Sequence, residues 1–220
     1  VFQLKPEIPN NTNERANIKP GDPKLKDING DGKVTAEDQT VIGHGLPIHT
    51  GGFTNNFEWK GFDLSIFFQW SYGNDVINYN RARLESLDGR HLNQLATVKN
   101  HWTPRTTLAD NTVVEGNYTN YLWAVNRGLS NIHTSREVED ASFLRLKNVQ
   151  LGYRFPNKVL KRLHLSSLRM YISAQNLYTW TSYTGYDPEV STRNSAMTRG
   201  FDYSAYPKAK TFTFGVELAL

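Results

Sequence analysis

Between Gly61 and Tyr72 the chain alternates without a break: Phe62, Leu64, Ile66, Phe68, Trp70 and Tyr72 are set against Asp63, Ser65, Phe67, Gln69 and Ser71. Successive side chains of an extended backbone point to opposite faces, so this pattern predicts a strand with one apolar side. Its twelve residues exceed the roughly 5 to 6 of an ordinary strand and match the roughly 9 to 11 that cross a bilayer at a tilt. Aromatic residues occupy both ends, where the water interfaces of such a strand would lie.

Four further stretches repeat the pattern. Thr211 to Leu220 sets Phe212, Phe214, Val216, Leu218 and Leu220 against Thr213, Gly215 and Glu217. Leu168 to Trp180 does the same, except that Asn176 falls in the apolar row. In Phe143 to Phe155, the first half (Leu144, Leu146) is out of phase with Val149, Leu151, Tyr153 and Phe155, which predicts a bulge or a water-exposed outer end. Thr50 to Trp59 is the weakest of the five. With a mean hydropathy of -0.57, no run approaches the roughly 20 apolar residues of a membrane-spanning helix. That excludes a helical membrane protein and leaves a barrel open, because barrel strands alternate. Aromatics at 12% of the chain suit interface girdles, and Trp59, Phe62, Trp70, Tyr72, Tyr153, Phe155, Tyr178 and Trp180 stand where girdles would be.

The connections differ in length. Lys60 and Gly61 join two strands, and a short basic stretch, Asn157 to His164, joins two more, whereas Lys5–Pro47, Gly73–Ser142 and Thr181–Lys210 are long. Short turns at the periplasm and long loops outside form the plan of an outer-membrane barrel, which would leave Leu220 in the periplasm. Within the longest connection, Asn78–Leu87 and Leu92–Trp102 each read as a short helix, the second stopped by Pro104. The five strands cannot close a barrel, since single-chain barrels begin at about eight, and an open edge in lipid leaves backbone groups unsatisfied. Further strands must come from elsewhere. Val1 begins no signal peptide, so the chain is expected to start after processing or within a longer protein.

Asp27-Ile-Asn29-Gly-Asp31-Gly32-Lys33-Val-Thr35-Ala-Glu37-Asp38 has the spacing of a calcium loop. Asp27, Asn29 and Asp31 would give side-chain oxygens, Lys33 a carbonyl, Thr35 a water-mediated contact, and Asp38 would close position twelve. Closure by Asp suggests a structural site. The same residues also make ordinary turns without metal.

Other chemistry finds little support. The six histidines, His44, His49, His91, His101, His133 and His164, are too scattered for zinc. No nucleophile elbow or phosphate-cradling loop occurs, so no enzyme is expected. The net charge of +4 is dispersed and points to no nucleic acid, and there are no cysteines. Loop aromatics, among them Trp102, Tyr118, Tyr121, Trp123, Tyr183 and Tyr186, could stack on sugar rings, anchor a partner or pack the loops.

Several stretches resemble the SusC/RagA family: Pro20-Gly-Asp-Pro-Lys-Leu-Lys-Asp-Ile-Asn-Gly-Asp-Gly32, Gly61 to Asn74, Val138 to Tyr153, Tyr171-Ile-Ser-Ala-Gln-Asn-Leu-Tyr-Thr179 and Gly185-Tyr-Asp-Pro-Glu-Val190. The resemblance implies an all-β fold, the C-terminal strands of an antiparallel transmembrane β-barrel of about 22 strands. It implies residues 1–47 as an outer loop with the calcium segment, and 48–220 as strands with outer loops at about 73–142 and 181–210. It further implies a TonB-dependent importer of glycans or oligopeptides in the outer membrane of a Gram-negative, Bacteroidota-like bacterium. Its partners would be an N-terminal plug with the remaining strands, TonB, outer-membrane lipid and a SusD-like lipoprotein lid, which the loop aromatics would touch. The competing reading is a secreted calcium-binding, carbohydrate-recognising β-module.

Overall fold

The computed structural model describes residue 3 and residues 18–87, 93–125, 133–189 and 199–220, which group into two compact units. The unit formed by Gly43–Ile77 and Val138–Leu220 is built on one five-stranded sheet. Its strands, in sheet order, are β1 (His49–Trp59), β2 (Phe62–Tyr72), β7 (Phe143–Arg154), β8 (Ser167–Thr181) and β10 (Thr211–Ala219). Every neighbouring pair is antiparallel. All five predicted strands are present, within two residues of their expected ends.

The β1–β2 turn is Lys60-Gly61, with φ of 47° and 87°. Two left-handed residues give the turn whose twist matches that of the strands it joins. Gly61 answers a second demand, because a Cβ there would stand 2.8 Å from the Arg154 carbonyl oxygen. The Arg154 amide donates to the Gly61 carbonyl at 2.7 Å, which ties the turn to the end of β7. Between β7 and β8 the basic stretch folds into α2 (Asn157–Leu163), closed by His164 in the left-handed region.

The phase problem in β7 resolves as a bulge. Phe67 pairs with Asn148 and Phe68 with Leu146, leaving Lys147 as the extra residue. The β7–β8 ladder shifts at the same place, opposite Asn176, whose φ is 53°. The bulge brings Leu144 and Leu146 onto the face of Val149 and Leu151, so the apolar row is continuous. Asn176 is bent out of its row, and its Nδ2 donates to the Ala209 carbonyl.

Beyond Tyr72 and before Phe143 the β2/β7 pair continues into a small sheet, ordered β6 (Val138–Asp140), β3 (Asp75–Asn78), β9 (Phe201–Asp202). The Ala141 amide donates to the Asn74 carbonyl, and Val76, Ala141 and Tyr183 form a buried cluster. These short strands were not expected from the sequence.

The other unit comprises the described parts of Val1–Ile42 and Asn78–Glu137. It holds α1 (Tyr79–Leu84), a 3-10 turn at Ala96–Asn100, and a hairpin of β4 (Thr106–Thr107) and β5 (Val113–Val114). Both expected helices are therefore present but shorter; Leu92 lies outside the described residues.

Candidate functional site

The strand register sorts the sheet into two unlike faces. On one, Phe57 opposes Leu64, Leu64 opposes Leu151, Leu151 opposes Ile172 and Ile172 opposes Phe214. This face is apolar from edge to edge, yet fourteen of its large side chains stay exposed, among them Trp59 at 68% and Phe212 at 68%. Left in water, even about 1.5 kcal/mol apiece forfeits on the order of 20 kcal/mol, more than a domain's whole stability. Such a face requires a non-aqueous covering.

Aromatic rings frame both ends of this face. At the short-turn end Phe62 packs on Tyr153 and Tyr153 on Phe155, while the Lys60 ammonium lies 4.8 Å over the Trp59 ring. At the loop end His49 stacks on Tyr72 and accepts from Trp70 Nε1, and Tyr178 meets Trp180 edge to face. Tyr and Trp favour such borders because their rings are apolar and their tips polar.

The opposite face is polar and cross-linked. Arg169 on β8 forks onto Asp63 of β2, with Nε and Nη2 at 3.0 and 2.6 Å from its two oxygens, and reaches Glu217 of β10 at 3.0 Å. The pair spans β7, and Gly152 makes the crossing possible, since a Cβ there would meet Asp63 oxygens at 2.6 Å and Arg169 Nη2 at 2.8 Å.

Nearer the loop end, this face seats the β8–β10 connection. Arg145, only 2% exposed, donates to Asp187 through Nη2 and to Glu189 at 3.2 Å through Nη1. Glu189 also meets Lys208 at 2.5 Å, Lys147 at 3.6 Å and Gln69 at 3.3 Å. Burial raises the pKa of both acids, but these partners outweigh it and hold each below the usual carboxylate range. Beside this seat lies an open cleft of about 310 Å³ lined by Arg145, Asn176, Tyr186, Lys208 and Lys210. Tyr183 is buried and donates to Asp202 at 2.6 Å; burial, then that hydrogen bond, push its hydroxyl pKa far up.

The six loop aromatics are placed differently. Trp102 is buried, its Nε1 donating to Gln3 Oε1 at 3.1 Å and its ring lying against Gly21. Trp102 and Tyr183 are each buried within their own unit. Tyr121 donates to Glu85 at 3.0 Å, and Trp123 donates to the Ser86 carbonyl at 3.2 Å. Arg136 lies over both of their rings and meets Glu85 at 2.5 Å. Burial raises the Glu85 pKa, but Thr97, Arg136, Tyr121 and Arg81 bring it below the ordinary range. Tyr118 and Tyr186 present open rings, Tyr186 at 76% exposure. The Glu85 cluster was not singled out in the sequence, because its members lie up to 51 residues apart.

No protein-family model matches the chain. It is 36% identical over 206 residues to TonB-dependent receptor P3 of Formosa agariphila, a match covering 90% of this chain and 19% of that relative. Against TonB-dependent receptor SusC of Bacteroides thetaiotaomicron the identity is 28% over 206 residues, covering 92% and 18%. The solved RagAB peptide transporter superposes with a TM-score of 0.71 at 28% identity, over 91% of this chain and 21% of that one. The chain belongs to the SusC/RagA family of TonB-dependent receptors. It spans about a fifth of the length of the relatives it matches. Those relatives are receptors and transporters, not enzymes.

The SusC/RagA-like stretch around Asp27 folds as a tight loop. Asp27 accepts from the Gly30 and Gly32 amides at 2.6 and 2.8 Å, Asn29 from Asp31 and Asp31 from Lys33. Thr35 and Asp38 cap each other, and the Thr35 and Ile28 amides hold the Asp38 carboxyl below its ordinary pKa. Asp38 thus reaches back to the loop's start, and every donor is a hard oxygen of the kind calcium takes. Among the described residues no three acidic or imidazole side chains converge as a metal-ligand group.

Proposed function

We propose that this chain supplies five strands to the wall of a TonB-dependent outer-membrane importer. The observation that carries the reading is the two-faced sheet: an exposed apolar face between two aromatic borders, backed by a polar, ion-paired face. The apolar face meets lipid and the polar face lines the lumen, with the short turns at the periplasm and the long connections outside. Further strands complete the barrel along β1 and β10, each paired on one side only among the described residues. The cargo is a glycan or oligopeptide, admitted under a SusD-like lipoprotein, with a plug and TonB driving release inward. Relatedness to SusC and to the RagAB peptide transporter supports this reading. Its test is gentle detergent extraction of outer membranes, with native mass spectrometry and sequencing of every co-migrating polypeptide. We expect strands, plug and lipoprotein to travel together; a soluble chain of about 25.1 kDa without partners overturns the reading.

Calcium in the loop from Asp27 to Asp38 belongs to the same proposal. Asp27, Asn29, Asp31, Lys33, Thr35 and Asp38 would hold it, and its effect would be to stiffen an outer loop. Titration calorimetry of the intact receptor with calcium chloride should show one site that Asp31→Ala removes. Heat identical in both proteins would leave the loop an ordinary hydrogen-bonded turn.

A further inference from the structure

The basic stretch between β7 and β8 has no role in the import reading. From Arg154 to Ser167 the chain carries no Asp or Glu. In α2, Lys158, Lys161 and Arg162 fall at i, i+3 and i+4, so helical geometry gathers them on one face. All three are exposed, and none has a carboxylate partner among the described residues. The other side of the helix holds Val159, Leu160 and Leu163. Leu160 is 7% exposed and anchors the helix, and the Leu165 amide donates to the Leu160 carbonyl at 3.1 Å. Leu163 stays 53% exposed beside the cations.

The surroundings fit this asymmetry. Phe155 enters the helix from the aromatic border of the apolar face, and Lys60 stands over Trp59 on that same border. The acids of this end, Glu58, Asp63 and Glu217, lie on the polar face, where Arg169 holds the last two. An amphipathic basic helix with an open leucine, set where an apolar wall ends, has the composition of a helix lying in a headgroup layer.

We propose that the basic face of α2, together with Lys60, docks the short-turn end of the wall onto anionic phospholipid, each cation meeting headgroup phosphate. This rests on the membrane-wall reading above. Each cation near a charged leaflet contributes roughly 1 kcal/mol, or about fivefold in lipid retention.

The test uses the intact receptor in mixed micelles containing either phosphatidylglycerol or phosphatidylcholine, with native mass spectrometry counting the retained lipids. Phosphatidylglycerol is expected to be retained preferentially. Lys158→Gln lowers its retention about fivefold, and Lys158→Gln/Lys161→Gln/Arg162→Gln on the order of a hundredfold, while phosphatidylcholine is unchanged. Since these side chains are exposed and unpaired, heat-modifiable gel mobility should show all variants folded, and the single variant carries the test if the triple one is not. Equal retention of the two lipids by the parent overturns the proposal, as does undiminished phosphatidylglycerol in a folded variant or loss of an acidic protein in place of lipid. Failure of the wall reading looks different: the chain would then appear in the soluble fraction.

Discussion

At the scale of single residues, two side chains and one missing side chain hold the polar face together. Gly152 leaves the gap through which Arg169 reaches Asp63. Gly152→Val should force the pair apart and cost about 2 kcal/mol, read as a lowered unfolding midpoint in detergent, with Ser65→Val as the nearby control. Arg145 is the other pivot. Arg145→Ala leaves the Asp187 and Glu189 carboxylates facing one another without their guanidinium, a loss of about 3 kcal/mol, seen as faster proteolysis in the β8–β10 connection. Both acids have folded pKa values below their ordinary 3.8 and 4.5, so their contribution is full above about pH 4.5 and is lost as pH falls through the lower folded values. Proteolysis of the parent should therefore accelerate on acidification below about pH 4 and not between pH 6 and 8. Neither pivot was legible in the sequence. Gly152 reads there as one more strand glycine, and Arg145 as one cation among 25.

Among the elements, strands were the most legible, because alternation over nine or more residues has no competing explanation. The Lys147 bulge was half visible, as a phase error whose remedy needed the partner strands. The β3, β6 and β9 strands, at two to four residues, are too short to show a period; β3 and β6 form where β2 and β7 bring them together, and β9 joins at β3. The helix α2 hid in a stretch marked only by its charge, since seven residues give two turns. The turn before β2 is the element most exposed to a single change. Gly61→Val places a branched side chain at φ of 87° and against the Arg154 carbonyl. It should destabilise the sheet by about 3 kcal/mol, measured by urea-induced loss of the strand circular-dichroism signal.

For the whole molecule, the face assignments make a paired prediction. Phe214→Lys, near the middle of the apolar face, should cost about 2 to 4 kcal/mol and reduce membrane assembly, scored by heat-modifiable gel mobility. Thr213→Lys, its immediate neighbour on the polar face, should assemble normally. Of the candidate site, the two-faced sheet and its aromatic borders were legible in the sequence, whereas the loop seat and the Glu85 cluster depend on long-range contacts that no local pattern announces. The bulge has one more consequence. A wall built on alternation keeps count only in twos, so Lys147 acts as a parity correction for everything between it and the loop. Without it, Arg145 would turn to the apolar face and Leu144 and Leu146 to the polar one, while the rest of β7 kept its facing. Changes of chain length within these strands are therefore tolerable only in even steps or with a compensating bulge, which leaves the long connections as the place where related receptors can vary freely in length.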